Sequence, residues 1–137
     1  MIGNIKIERD IDIDFKVDDI KTNILRVIPL GIYTKHSQND VFNTFRISKM
    51  DGFEVVTFNV TIKKIDDNRS NIKIDCVENI RNSGHEVIVN RILDNFLDRL
   101  SKSLSGVSDD EIKIAANKGC FGVILLMLIG IGLIFNI

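Results

Sequence analysis

The side chains that could carry out acid–base or metal chemistry are few and far apart. His36 precedes Asp40 by four residues in a predicted turn, and His85 lies in the first turn of a predicted helix. A histidine and a carboxylate at that spacing could transfer a proton or share a metal ion, but an exposed turn histidine explains His36 more simply. The sequence contains no Cys-His pair, nucleophile elbow, phosphate-binding glycine loop or zinc-ligand spacing. We therefore predict that the protein is not an enzyme and binds neither a metal nor a cofactor.

The acidic residues and the cysteines also have simple explanations. A carboxylate recurs at every second position of the first predicted strand: Glu8, Asp10, Asp12 and Asp14. This spacing is typical of a solvated strand face, whereas calcium loops need a tight glycine turn. Cys76 and Cys120 match neither a disulfide framework nor a zinc site, so we predict free thiols in a reducing compartment.

Two charged residues interrupt the apolar faces of predicted strands. Arg9 has the parity of Ile7 and Ile11 in the first strand, and Glu78 has the parity of Ile74 in the fifth. A charge that faces the interior is costly unless it is paired or reaches water. Arg9 and Glu78 could therefore pair with each other or orient the polar group of a ligand. Alternatively, strand ends or a β-bulge turn both side chains to solvent.

The segment 120–137 carries no charged residue. At about 1.5 Å per residue it would form roughly 27 Å of helix, close to the thickness of the hydrocarbon core of a bilayer. We predict a transmembrane helix here, and its anchor residues include Cys120, Phe121, Leu125, Leu128, Ile131 and Ile134. Lys113 and Lys118 precede the segment and no basic residue follows it, which predicts that the soluble part lies on the cytoplasmic side. The lipid bilayer is therefore a predicted partner.

The charge balance argues against nucleic acid as a partner. The 137 residues include 18 Lys and Arg against 19 Asp and Glu, so the chain has no basic field. Residues 1–104 suffice for one domain with a hydrophobic core. Residues 105–119 are rich in Ser, Gly, Asp and Lys and are predicted to be a linker. Within this linker, 111–116 could form a further turn of helix.

Within residues 1–104 the pattern predicts a strand, a short helix, four strands and a long helix. Apolar residues alternate in 5–15, 30–36, 41–48, 53–63 and 72–77, which is typical of half-buried strands. Apolar residues at helical spacing predict a first helix that is capped by Asp18 or Asp19 and stopped by Pro29. A dipeptide at 51–52, Asp-Gly, indicates a tight hairpin between the third and fourth strands.

The long helix, predicted to start at Ser83, has a single apolar stripe formed by Val89, Ile92, Leu93, Phe96, Leu100 and Leu104. Asp98 and Lys102 are predicted to form an i,i+4 ion pair on the solvent side. The helix can bury its stripe by lying across the apolar face of the strands. The predicted fold class is therefore α+β, with the order β-α-β4-α, an antiparallel sheet and the long helix packed across it.

This order of elements, together with the sequence Ile-Asp-Phe-Lys-Val-Asp-Asp-Ile at 13–20, resembles the TBP-like, helix-grip arrangement of START-like (SRPBCC) domains. The resemblance extends over about residues 5–104. It implies a domain that grips a hydrophobic ligand between the sheet and the long helix. In such a site, Arg9, Glu78, Phe58 and Phe96 are the candidate ligand contacts.

Two functional hypotheses follow from these observations. In the first, a tail-anchored, single-pass protein binds an apolar small molecule or a protein partner through a small domain at the cytoplasmic membrane surface. In the second, the chain is a structural or assembly subunit that works through its transmembrane helix, where Gly122, Gly130 and Gly132 permit close helix approach. A cavity of about a few hundred Å³ between sheet and helix would favour ligand binding, and a filled core would favour an interaction role.

Overall fold

A computed structural model describes residues 6–76 and 83–114 of the chain. The elements are, in chain order, β1 (Glu8–Ile13), α1 (Val17–Leu30), β2 (Thr34–Asn39), β3 (Thr44–Asp51), β4 (Glu54–Asp66), β5 (Arg69–Cys76), α2 (Ser83–Leu104) and α3 (Asp109–Lys113). The predicted order of a strand, a helix, four strands and a long helix is confirmed.

The strands form one five-stranded antiparallel sheet in the order β1-β5-β4-β3-β2. Strands β2 to β5 follow one another as a meander, and β1 returns to pair with β5, so β1 and β2 are the two edges. The long helix α2 packs across one face of this sheet, which confirms the predicted α+β class. Strand β1 keeps its register without a shift, from Glu8 opposite Asp75 to Ile13 opposite Ser70.

The β3–β4 hairpin forms where the sequence predicts it. Asp51 pairs with Glu54 around a two-residue loop of Gly52 and Phe53. Gly52 has a φ angle of +62°, a conformation that glycine adopts without steric cost, as the first loop position of a type II′ hairpin requires. Phe53 follows it at the tip of the hairpin and is fully exposed.

The β2–β3 turn lies later in the chain than predicted. The Oδ1 atom of Asn39 accepts hydrogen bonds from the amides of Val41 and Phe42, at 2.9 and 3.2 Å. This local side-chain turn makes the chain reverse over 40–43, whereas the prediction placed the turn at 37–40. As a result, β2 ends at Asn39 and β3 begins at Thr44.

Helix α1 extends beyond the position at which Pro29 was predicted to stop it. Pro29 lies within the last turn, and the helix ends at Leu30. A proline lacks the amide donor of a helical hydrogen bond and crowds the preceding turn. Because Pro29 is the last residue but one of α1, few helical hydrogen bonds follow it, and the helix tolerates it there. The predicted capping residues, Asp18 and Asp19, lie inside the first turn after the N-cap residue Lys16, where their charge favours the positive end of the helix.

Side chains fill the layer between the sheet and the helices. The largest of those that are fully buried are Phe45, Phe58, Phe96, Ile20, Ile24, Ile47, Ile62, Ile72, Ile74, Leu93 and Leu100. These residues come from α1, α2 and strands β3 to β5, so a single core joins the sheet to both helices. Ile92 and Phe96 face the sheet as predicted, and Cys76 is buried and in no disulfide, also as predicted.

The prediction for Asp98 is correct in its partner and wrong in its environment. The Nζ atom of Lys102 lies 3.1 Å from the Oδ2 atom of Asp98, but the side chain of Asp98 is 0% exposed. Helical periodicity identifies the side of α2 that faces away from the sheet. It does not show whether tertiary structure covers that side.

The predicted linker 105–119 contributes a structured element. Helix α3 lies within it, and Ile112 of α3 is fully buried in the core. The predicted transmembrane helix at 120–137, with its anchor residues from Cys120 to Ile134, lies outside the described residues. Within 6–76 and 83–114, no helix combines the length and the apolarity needed to cross a bilayer.

Candidate functional site

Arg9 lies on the face of β1 that points towards α2, as the unbroken alternation of the strand requires. Its guanidinium donates to the Oδ1 atoms of Asp94 and Asn90, at 3.0 and 2.7 Å, and these two residues lie one turn apart on α2. It also donates to the carbonyl of Glu8 at 3.0 Å. The alternative in which a bulge turns Arg9 to solvent is wrong, because β1 and β5 pair without a register shift. The predicted partner Glu78 lies outside the described residues, and the observed ionic partner of Arg9 is Asp94.

Phe58 and Phe96, two of the predicted ligand contacts, are fully buried between the sheet and α2. Their ring centroids are 5.2 Å apart in an edge-to-face arrangement, and the ring of Tyr33 lies 5.4 Å from Phe96 and 6.4 Å from Phe58. Such aromatic contacts contribute to stability beyond the area that they bury. Burial also raises the pKa of the Tyr33 phenol above its usual value. A role of Phe58 and Phe96 in ligand binding stays a prediction.

A buried arginine joins α3 to the rest of the domain. Arg99 of α2 donates to the Tyr33 hydroxyl at 2.9 Å, to the Ile112 carbonyl at 3.1 Å and to the Lys113 carbonyl at 3.3 Å. The two carbonyls lie at the C-terminal end of α3, where a helix attracts positive charge. We call this arrangement the Arg99 clasp. The spacing of apolar residues does not predict the Arg99 clasp, because a charged residue at position 99 is typical of the polar side of an amphipathic helix.

The clasp explains why residue 31 is a glycine. A Cβ atom on Gly31 would lie 2.2 Å from a ring carbon of Tyr33 and 3.0 Å from the Cδ atom of Arg99. The carbonyl of Gly31 also accepts a hydrogen bond from Lys49 Nζ at 2.7 Å. Burial lowers the pKa of Lys49, and the neighbouring Arg99 charge lowers it further. The α1–β2 loop is therefore fastened to both α2 and β3.

Exposed apolar side chains gather beside this loop, at the end of the sheet that carries the β3–β4 hairpin. We call this surface the apolar rim, and it consists of Ile32, Met50, Phe53 and Val55. Met50 and Val55 are directly opposite each other in the β3–β4 register. The bond from Lys49 to Gly31 fastens the α1–β2 loop to the end of β3 on the core side, because Lys49 has the parity of Ile47. Met50 and Val55 point to the outer face of the sheet at the same end. The four side chains thus lie at the same end of the sheet, although they come from two separate parts of the chain.

Ile32 occupies its place in the apolar rim in an unfavourable backbone conformation. The amide of Tyr33 donates to the Ile28 carbonyl at 2.9 Å, and the amide of Ile32 donates to the Pro29 carbonyl at 3.2 Å. These two bonds define a Schellman C-cap, in which the residue at the position of Ile32 adopts a left-handed conformation and is usually glycine. Ile32 has a φ angle of +57° and a side chain that is 79% exposed. A β-branched residue is strained there, and no buried contact compensates for the strain.

Two polar contacts lie next to the apolar rim. Arg91 of α2 donates to the carboxylate of Asp51, and the buried Nδ1 atom of His85 lies 3.1 Å from Glu54 Oε2. These contacts hold the first half of α2 against the hairpin. The sequence predicts only that His85 lies in the first turn of the long helix. In the structure, His85 also joins that helix to the hairpin through Glu54.

His36 lies on β2 rather than in a turn. The register between β2 and β3 shifts between Lys35 and Ser37, so His36 is the extra residue of a β-bulge. Its Nε2 atom lies 2.8 Å from the hydroxyl of Ser48. The two side chains belong to the outer face of the sheet, opposite the core. No group of three potential metal ligands occurs in the described part of the chain.

No protein-family model matches the chain, and no curated protein matches it. Among solved structures, a START superfamily protein from Mycobacterium smegmatis is 10% identical with a TM-score of 0.47, and the alignment covers 74% of this chain and 94% of that one. The Zhui aromatase/cyclase from Streptomyces sp. R1128 is 9% identical with a TM-score of 0.32, and the alignment covers 80% of this chain and 93% of that one. At these values neither similarity assigns a function to this chain.

Proposed function

We propose that the chain is a membrane-tethered interaction module. In this proposal the segment 120–137 anchors the protein, the domain lies on the cytoplasmic side, and the apolar rim binds a protein partner at the membrane surface. The proposed role is binding and includes no catalytic step.

The observation that carries the proposal is the apolar rim with Ile32 at its edge. Exposed apolar side chains are common singly, but contiguous ones mark interaction surfaces. A left-handed conformation costs an L-residue roughly 1–2 kcal/mol, and glycine would remove that cost. A strained and exposed isoleucine is therefore best explained by a contact that its side chain makes with another molecule.

A protein partner fits this surface better than the bilayer or an enclosed ligand. Next to the apolar rim, Asp51 pairs with Arg91 and Glu54 lies beside His85, whereas surfaces that bind anionic lipid carry an excess of basic residues. Apolar side chains surrounded by paired charges are typical of protein interfaces, whose polar periphery encloses an apolar centre. The filled space around Phe58 and Phe96 also favours an interaction role over an internal ligand.

A second candidate function is binding of an apolar ligand between the sheet and α2, with Arg9, Glu78, Phe58 and Phe96 as its contacts. The observation that favours it is the guanidinium of Arg9, which is only partly buried at the edge of that layer. A ligand carboxylate could compete with Asp94 for it. Such binding would require the Phe58–Phe96 contact to open, so substitution of these residues would change ligand affinity and leave the apolar rim unaffected.

The test is photo-crosslinking of the full chain in its own membranes. A photoreactive amino acid replaces Phe53 in one version and Phe42 in a matched control, because Phe42 is also exposed but lies at the β2–β3 turn, at the opposite end of the sheet. We expect a discrete protein adduct from position 53, lost when Ile32→Ser is added, and no such adduct from position 42. Adducts to lipid alone, or equal adducts from both positions, would overturn the proposed partner.

The tether has a separate test. A chain that ends at Lys118 lacks the whole apolar segment and should leave the membrane fraction after a high-salt wash, because no described helix could replace it. The full chain should stay with the membrane under the same wash. A truncated chain that still sediments with membranes would show that residues other than 120–137 provide the attachment.

A further inference from the structure

We propose that the outer face of the sheet carries a second binding site, for a phosphate monoester group. The site is an open depression of about 390 Å³, lined by His36, Ser37, Arg46 and Thr57. These residues come from β2, β3 and β4, on the face opposite the core. The site lies on the same sheet face as Met50 and Val55 of the apolar rim, which are two residues from Ser48 and Thr57 along β3 and β4, and its test uses phosphate rather than the proposed partner.

The strand register assembles the four side chains. Ser37 lies directly opposite Arg46, and Ser48, two residues beyond Arg46 on the same face of β3, lies opposite Thr57. The bulge on β2 inserts His36 beside this group, and the contact between His36 Nε2 and the hydroxyl of Ser48 orients the imidazole ring. Bulges often redirect a side chain in this way next to a functional site.

The chemistry of the lining selects an anion. Arg46 presents five N–H donors in a planar fork, His36 contributes a ring nitrogen, and the two other side chains contribute hydroxyls. Among residues 6–76 and 83–114, no carboxylate lines the depression and Arg46 makes no ion pair. On the same sheet face, Asn59 separates Arg46 from Asp75, so that carboxylate is two strands, or about 10 Å, away.

A phosphate monoester matches this set of donors. Its oxygens are directed tetrahedrally, so Arg46 can bind two of them while donors from neighbouring strands reach others. The volume is near the lower end of the range for small-molecule sites, about 300–1,000 Å³, which leaves space for the organic part of the molecule. The same headgroup chemistry occurs in a soluble phosphate ester and in phosphatidic acid.

The experiment uses the full chain in nanodiscs of neutral phosphatidylcholine and follows the His36 ring resonances by NMR. One arm adds inorganic phosphate, and the other compares nanodiscs that contain phosphatidic acid with those that do not. Arg46→Gln should weaken the response at least about tenfold. Arg46→Lys should weaken it less, because lysine keeps the charge and loses the fork. The control is Lys63→Gln, which removes one exposed positive charge from β4 outside the depression and should leave the response unchanged.

Each outcome decides part of the proposal. A response to inorganic phosphate that Arg46→Gln abolishes supports a soluble ligand, and a response only to phosphatidic acid supports a lipid headgroup. Equal loss in the Arg46 and Lys63 variants would show only a general charge effect and would overturn the site, as would the absence of any response. Unchanged melting temperatures of the variants exclude unfolding as the cause of a loss.

Discussion

Replacement of Ile32 by glycine should make the protein more stable and less able to bind its proposed partner. The left-handed conformation costs an L-residue about 1–2 kcal/mol. About 0.4–1 kcal/mol of this gain is lost, because glycine gives the unfolded chain greater conformational freedom. Because the side chain of Ile32 is largely exposed, little buried contact is lost. We therefore expect the free energy of unfolding to rise by up to about 1.6 kcal/mol, which corresponds to at most roughly 6 °C in melting temperature.

The assay is thermal unfolding of the full chain in a mild detergent, followed by circular dichroism. Ile32→Ala separates the two effects, because alanine removes the apolar side chain and keeps a Cβ atom in the left-handed conformation. We expect it to gain less than half as much stability as Ile32→Gly. Both variants should nevertheless lose the crosslink from position 53. A lower melting temperature for Ile32→Gly would refute the reasoning, because it would mean that the side chain stabilises the isolated domain.

Three further predictions concern the interior and the edge of the sheet. Arg9→Met should lower the free energy of unfolding by about 1–3 kcal/mol, as measured by urea unfolding. A double-mutant cycle with Asp94→Asn should show a coupling energy of about 1 kcal/mol, and additive effects would mean that the two side chains do not stabilise each other. Phe96→Ala should cost about 3–5 kcal/mol in the same assay, and a melt close to that of the unchanged protein would show that the aromatic contacts are not packed. Asp75→Asn should stabilise the protein by about 0.2–1 kcal/mol at pH 7, because burial and the opposing Glu8 raise the pKa of Asp75 above its ordinary 3.8. A carboxyl group whose pKa is raised in the folded state stabilises that state below pH 3.8, and this stabilisation is lost as the pH rises through the raised pKa. The stability gained from asparagine should therefore disappear in acid. A gain that is independent of pH would show that the charge of Asp75 is not its cause.

The sheet and the long helix were predictable because their signals are periodic and agree with each other. Alternation over 5–15 fixed which face of β1 carries Arg9, and the Asp-Gly dipeptide located the β3–β4 hairpin. Strand bounds between Leu30 and Thr44 were less predictable, because they depend on the Asn39 turn and on the bulge at His36. Those features come from two hydrogen bonds to one side chain and from a register shift, and an alternating pattern of apolar residues does not indicate either.

The partners of charged residues were harder to predict than the faces that they occupy. The inward direction of Arg9 followed from its parity, but its partner depends on how α2 lies across the sheet, which brings Asp94 into reach. The same limit applies to Asp98, whose position on α2 gives no sign of burial. The sequence gives no indication of the left-handed conformation of Ile32, because a Schellman cap is usually recognised by a glycine at that position.

The Arg99 clasp shortens the connection between the domain and the proposed anchor. It fixes the chain up to Lys113, so only residues 114–119 separate the folded part from the segment 120–137. Six residues span at most about 20 Å, whereas the fifteen residues of the predicted linker could span about 50 Å. The same clasp holds the end of α3 next to Tyr33, the neighbour of Ile32. If 120–137 crosses the bilayer, the connection is short and starts at α3, which the clasp joins to the α1–β2 loop that carries Ile32, so the domain can meet only partners that are themselves at the membrane surface.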